Sequence, residues 1–140
     1  GPAGATGGGA GSAETGERMT AGLQGHETTT TVSAIRRRKR DQRIDLLRQQ
    51  ASALLMDHPN AHLWLFGSWA RGDWDAFSDV DLLAIAPSRG EANRLAEAVL
   101  EAGMADDVLA LTAQEWQQRR TGDDPYWSAI GRDALRLNQP

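Results

Sequence analysis

Apolar and polar positions fall into two regimes along this chain. Over residues 1–32 only Met19, Leu23 and Val32 are large and apolar, each isolated among Gly, Thr, Ala and Ser. Such a stretch cannot bury enough apolar surface to offset the entropy of ordering it, so it is expected to be a disordered tail. The Thr28–Thr31 run is β-prone but has no alternating partner strand. From about Ser33 to Asp57 the pattern turns helical. Ile35, Ile44, Leu47, Ala51, Leu54 and Leu55 recur near the helical period, and Asp57-His58-Pro59-Asn60 is a stop signal. The basic run Arg36–Arg40 opposes the helix dipole if it sits in the first turns, which moves the expected start towards Asp41.

Beyond Asn60, short apolar runs alternate with helical patterns. Leu63–Phe66 predicts a strand ended by Gly67-Ser68, and Trp69-Ala70-Arg71 a short helical turn. Gly72–Ser78 is a polar loop broken by Trp74 and Phe77. Val80–Ala86 predicts a second strand stopped by Pro87, and Glu91–Ala102 a helix with Leu95, Ala96, Val99 and Leu100 on one face. Val108–Leu111 predicts a third strand. Thr112 then opens a helix to about Arg120, with Thr112 and Glu115 spaced as a capping box. Thr121–Pro125 is a turn whose Asp123 and Asp124 are helix-start residues, Tyr126–Asp133 a last helix, and Leu135–Leu137 a short final strand. Strands alternating with helices predict an α/β (α+β) fold, a small mixed sheet flanked by helices. The expected organisation is a tail over 1–32 and one domain over 33–140.

The chain has 140 residues, and nine of its fifteen glycines fall in the first 25. A folded part of about 100 residues buries roughly 60–70% of its unfolded surface, enough for one core and no second catalytic domain. The Gly1-Pro2 start is expected to be a protease remnant with a linker to about Arg18, and Met19 the native start. No charged start followed by an apolar stretch signals secretion, and no apolar run approaches a membrane span, so a cytoplasmic protein is expected. The lack of cysteine excludes a disulfide framework, a thiolate nucleophile and Cys-ligated zinc.

Net charge is −4, distributed as +3 over residues 1–40 and −7 over 41–140. An acidic folded part argues against broad nucleic-acid binding by the domain and suits carboxylates gathered around a cation. Arg36–Arg40 is expected to be a solvated helix start, with an acidic or nucleic-acid partner as the alternative.

The chemistry concentrates between Phe66 and Leu83. Gly67 follows a strand and precedes a helical turn, where backbone N–H groups can approach an anion, and Ser68 adds a hydroxyl donor. Asp79 and Asp81 flank Val80 at the start of a strand, so their carboxylates face the same way. Two like charges there repel unless a cation sits between them, and hard oxygen ligands favour Mg²⁺. Asp106-Asp107 opens the next strand and can bring one more carboxylate to the same point. An anion cradle facing a carboxylate-bound cation is equipment for phosphoryl or nucleotidyl transfer.

Gly67-Ser68, Ala70-Arg71-Gly72 and Ser78-Asp79-Val80-Asp81-Leu82, with ten residues between Ser68 and Asp79, resemble the signature of the DNA polymerase β-type nucleotidyltransferases. Within that superfamily the chain looks like the minimal nucleotidyltransferase (MNT) group, over roughly residues 44–137. The resemblance implies that Asp79 and Asp81 bind Mg²⁺, two ions in all, with a third carboxylate from the neighbouring strand. An Asp just before an apolar strand matches Asp107 best, because Asp107, Leu109 and Leu111 share one face while Asp106 lies on the other. Gly67 and Ser68 would hold the phosphates of ATP. Arg71 either reaches those phosphates or pairs with a loop carboxylate, Asp73 or Asp75. Asp107 would help deprotonate an acceptor hydroxyl that attacks the α-phosphorus and expels pyrophosphate.

MNT proteins of this look are paired with a helical HEPN ribonuclease toxin, and antitoxin members transfer AMP to a toxin tyrosine. The resemblance therefore implies a protein adenylyltransferase antitoxin. A small-molecule or RNA acceptor, or a non-catalytic partner-binding module of the same fold, are the alternatives. The remaining chemistry-bearing residues add little. His26, His58 and His62 have no metal-ligand spacing, and no His follows Ser68 to activate it. Trp64 is expected in the core, Trp69 and Trp74 in core or loop packing rather than stacked on a base or an acceptor, and Tyr126-Trp127 in packing rather than partner contact.

Overall fold

The computed structural model describes residues 26–75 and 77–138, with side chains from residue 31 onward. The expected tail lies outside the described residues as far as residue 25. The chain divides into two units, residues 1–43 and residues 44–140. The described part of the first is helical and belongs to α1 (His26–Leu54). None of its side chains from residue 31 onward is buried, and Val32 is 54% exposed.

Helix α1 is described from His26, ahead of the expected start at Ser33 or Asp41. The dipole penalty on basic residues fades beyond the first turn. Arg36 lies ten residues after His26, too far in to oppose the dipole, and Arg, Lys, Gln and Ala are good helix formers. A 3₁₀ turn at Leu55–Asp57 ends the helix.

The second unit is built on a four-stranded sheet of β1 (His62–Phe66), β2 (Asp81–Ala86), β3 (Asp107–Thr112) and β4 (Leu135–Arg136), in the order β3-β2-β1-β4. β1 is antiparallel to β2 and β4, while β2 and β3 are parallel and joined through α3 (Arg89–Glu101). This is the mixed sheet with flanking helices that the alternation of patterns predicts. Beyond β4 the Leu63 N–H donates to Asn138 Oδ1 at 3.1 Å, and the Leu137 N–H donates to the Leu63 carbonyl at 2.8 Å.

Alternation along the strands separates two cores. Leu63, Leu65, Leu82, Ala84 and Ala86 pack with Leu47 and Ala51 of α1 and Leu95 and Val99 of α3. On the other face Leu83, Ile85 and Leu111 pack with Trp116 of α4 (Ala113–Thr121) and Ile130 of α5 (Pro125–Asp133). β2 therefore has apolar neighbours on both faces, which is why it reads as an unbroken apolar run. Each fully buried leucine stabilises the fold by about 1.5–3 kcal/mol.

The helices on the second face are fixed at their starts. Thr112 and Glu115 form the expected capping box, and Arg89 pairs with Glu115. Asp124 caps α5 by accepting the Tyr126 N–H at 3.0 Å. A β-carbon on Gly131 would lie 2.7 Å from Arg120 Cβ, so α5 approaches α4 this closely because residue 131 has no side chain. That contact sets where α5 lies at the end of the sheet. Among the described residues, no helix is long and apolar enough to cross a membrane.

Candidate active site

β1 ends at Phe66 beside the first residue of β2, Asp81. The chain then turns through Gly67, at φ 76° and ψ −154°. That backbone region is essentially open only to glycine. The turn is closed by the Ala70 and Arg71 N–H groups, which donate to the Gly67 carbonyl at 3.1 and 3.0 Å. The four-residue helix α2 (Ser68–Arg71) follows, and Gly72 ends it in the left-handed region at φ 93°.

The carboxylates read from sequence lie near the start of β2 without converging on one point. Asp81 and Asp107 are register partners on adjacent parallel strands, and such strands lie about 4.8 Å apart. Their alternation puts both on the α4–α5 face of the sheet, with Leu83 and Leu109. Asp79 shares a cleft with Asp81. Burial raises the Asp81 pKa above its ordinary value of 3.8, and the nearby charges of Asp107, Asp79 and Asp106 push it the same way, while Arg71 opposes them.

Asp106 is held differently. Its Oδ2 accepts the Val80 N–H at 2.8 Å, and its own N–H donates to the Val80 carbonyl at 3.0 Å. That carboxylate braces the chain into β2, whereas Asp107 stands opposite Asp81. Arg71 makes an exposed ion pair, Nε to Asp73 Oδ2 at 3.3 Å, and also lines the cleft. The two alternatives for Arg71 are therefore compatible, since an exposed pair holds the guanidinium only weakly.

The loop from Gly72 to Asp79 is tied to itself. Asp75 N–H donates to Ser78 Oγ at 2.8 Å, and Phe77 N–H donates to Asp75 Oδ1 at 2.8 Å. Trp69 and Trp74 stack with centroids 4.3 Å apart and planes 8° from parallel, and the Trp69 indole N–H donates to the Ser78 carbonyl at 3.4 Å. This is the loop packing the sequence suggests. Trp64 is half-buried against Trp116, with centroids 5.5 Å apart.

The cleft has a volume of about 340 Å³. One wall is polar: Gly67, Ser68, Asp79 and Asp81, with Arg71 at its side. The other is Phe66 with Tyr126 and Ile130 of α5. Tyr126 is 60% exposed and meets Trp127 edge-on. The packing read for Tyr126 is thus only part of its setting. The missed signal is the spacing of Tyr126 and Ile130, which places them on one face of a helix.

Hard oxygen donors at Asp79, Asp81 and Asp107 suit a divalent cation. Among the described residues, no three acidic or imidazole side chains converge closely enough to form a ready ligand set. The electrostatics still fit: a cation would relieve the repulsion and desolvation that raise the Asp81 pKa.

The family model for the nucleotidyltransferase domain matches residues 47–127, more than half of the chain. The chain belongs to the nucleotidyltransferase-domain family. No curated protein matches it closely enough to count as a relative. The matched span runs from Leu47 of α1 to Trp127 of α5, and so contains both walls of the cleft down to Tyr126. Membership makes this domain a transferase of the nucleotidyl-transfer kind.

Proposed function

We propose that this nucleotidyltransferase domain transfers AMP from ATP to a hydroxyl of a protein partner, a tyrosine of a helical HEPN ribonuclease toxin, and so acts as an antitoxin. The observation that carries nucleotidyl transfer at this place is the register pairing of Asp81 with Asp107, beside a turn at Gly67 and an open cleft. The protein acceptor and the toxin partner rest on the resemblance to the MNT group. An open cleft with Asp79 and Asp107 exposed is consistent with an acceptor as large as a protein.

Asp79, Asp81 and Asp107 would hold Mg²⁺, which neutralises charge on the triphosphate when bound. The turn at Gly67 and the Ser68 hydroxyl take the phosphates, with Arg71 released from Asp73 to add positive charge. Asp107 accepts the proton of the acceptor hydroxyl. The hydroxyl oxygen bonds to the α-phosphorus as the bond from that phosphorus to pyrophosphate breaks. Asp81 lies deepest and orients the reacting groups against the strand ends.

Intact-protein mass spectrometry with ATP and Mg²⁺, alone and with the co-encoded neighbouring protein, tests this. The expected result is one or more AMP units on a tyrosine of the neighbour, absent with Asp79→Asn/Asp81→Asn. Transfer to an RNA end or a small molecule instead would overturn the antitoxin reading while leaving nucleotidyl transfer intact.

A further inference from the structure

The polar wall of the cleft accounts for the phosphates and leaves the rest of a nucleotide without a seat. A second hollow of about 120 Å³ adjoins it, sharing Phe66, Gly67, Arg71, Tyr126 and Ile130. It adds Ala129 and Asp133 of α5. Tyr126, Ala129, Ile130 and Asp133 follow the i, i+3, i+4, i+7 spacing of a single helix face. A cavity of roughly 150 Å³ holds one benzene ring; a hollow of about 120 Å³ with an open side can take a heterocycle partly inside and partly out.

Other aromatic side chains near the site are placed differently. Trp69 and Trp74 cover each other's faces, and Trp74 is buried. Phe77 is 93% exposed but does not line either hollow. Tyr126 is exposed and lines both hollows, sharing the larger one with Gly67 and Ser68. The smaller hollow is lined mainly by Phe66, Tyr126, Ala129 and Ile130, and its Asp133 is paired with Arg132 at 3.7 Å, whereas Ser68 lines only the larger hollow. A bound nucleotide is therefore directed with its phosphates at Gly67-Ser68 and its ring system at α5.

We propose that the Tyr126–Ile130 face of α5 is the seat of the nucleobase, with the Tyr126 ring stacked on the heterocycle and Ile130 and Phe66 closing the apolar side. This assignment rests on the reading of the cleft as the nucleotide site. Stacking tolerates any base, because each has a π face. It assigns α5 to nucleotide binding rather than to the acceptor.

The test is calorimetric titration of the whole chain with Mg·ATP and with Mg·tripolyphosphate, which has the phosphates without the base. For Tyr126→Ala, ATP affinity is expected to fall roughly 5- to 150-fold, the worth of one base–aromatic stack. Tyr126→Phe keeps the ring and is expected to bind ATP within about twofold of the unaltered chain. Tripolyphosphate binds all three alike. Unchanged ATP affinity in Tyr126→Ala overturns the assignment, as does an equal loss for tripolyphosphate. If the unaltered chain binds tripolyphosphate and ATP equally well, no base seat exists but the phosphate site stands. If it binds neither, the reading of the cleft as a nucleotide site falls and takes this assignment with it.

Discussion

The Asp81 carboxylate lies so close to the Gly67 backbone that a β-carbon on residue 67 would sit 2.4 Å from Asp81 Oδ2. Gly67 is thus constrained twice, by its positive φ of 76° and by its neighbour. Gly67→Ala is expected to lose nucleotidyl transfer and to destabilise the domain by about 1–3 kcal/mol from backbone strain alone. Thermal unfolding and pyrophosphate release check the two effects separately.

Asp81 carries a charge that the metal-free fold disfavours. Its pKa in the folded chain is raised above 3.8, by burial first and then by Asp107, Asp79 and Asp106. The folded state therefore holds the proton more tightly than the unfolded state does. Stability from this group is present below pH 3.8 and is lost as pH rises through the raised value. Asp81→Asn is expected to raise the melting temperature of metal-free protein at neutral pH while abolishing transfer. The gap between the two proteins should close as the pH is lowered, which unfolding curves at several pH values would reveal.

The adjacent carboxylates of Asp106-Asp107 are held differently, Asp106 by the Val80 N–H and Asp107 opposite Asp81. Asp106→Ala strands the Val80 N–H, an expected loss of about 1–3 kcal/mol, and Asp106→Asn restores most of it because the amide oxygen still accepts. Asp107→Asn removes a charge that repels Asp81, so it is expected to raise rather than lower the stability of metal-free protein at neutral pH, and to slow transfer by about 10²–10⁴-fold, the usual worth of a general base. Denaturant unfolding beside single-turnover rates distinguishes the two. A stability loss at residue 107 with full activity would reverse the assignment.

His62 makes acid a stress at the other end of the same sheet face. Burial lowers its pKa below 6.5, and the positive charges of Arg136 and Arg120 add to the effect. The Trp64 indole N–H donates to its Nδ1 at 2.9 Å, a bond that needs the ring nitrogen unprotonated. The stability it contributes is present above pH 6.5 and lost as pH falls through the lowered value. His62→Gln, whose amide oxygen can still accept from Trp64, should flatten the melting-temperature profile below pH 6.5.

The alternation of apolar runs made the order of elements legible. It also made the shared face of Asp107, Leu109 and Leu111 legible, because a strand has a strict two-residue period. The start of α1 was not, since a dipole rule valid for a first turn says nothing about where that turn is. The sequence places Tyr126 in packing, and its ring does pack, edge-on to Trp127. Its place in the cleft with Gly67 depends on how closely Gly131 lets α5 approach α4, a tertiary distance that no local pattern encodes. The pairing of Arg71 with Asp73 could be anticipated only as one of two alternatives, because an exposed pair is weak enough to exchange.

The Trp69–Trp74 stack spans the loop between the turn at Gly67-Ser68 and Asp79. Two indoles 4.3 Å apart and nearly parallel share their excitation, so light absorbed by one is not emitted independently of the other. The loop therefore carries its own optical gauge. Anything that parts the rings, whether an incoming nucleotide or a docking partner, changes the emission of the native chain without any label being attached.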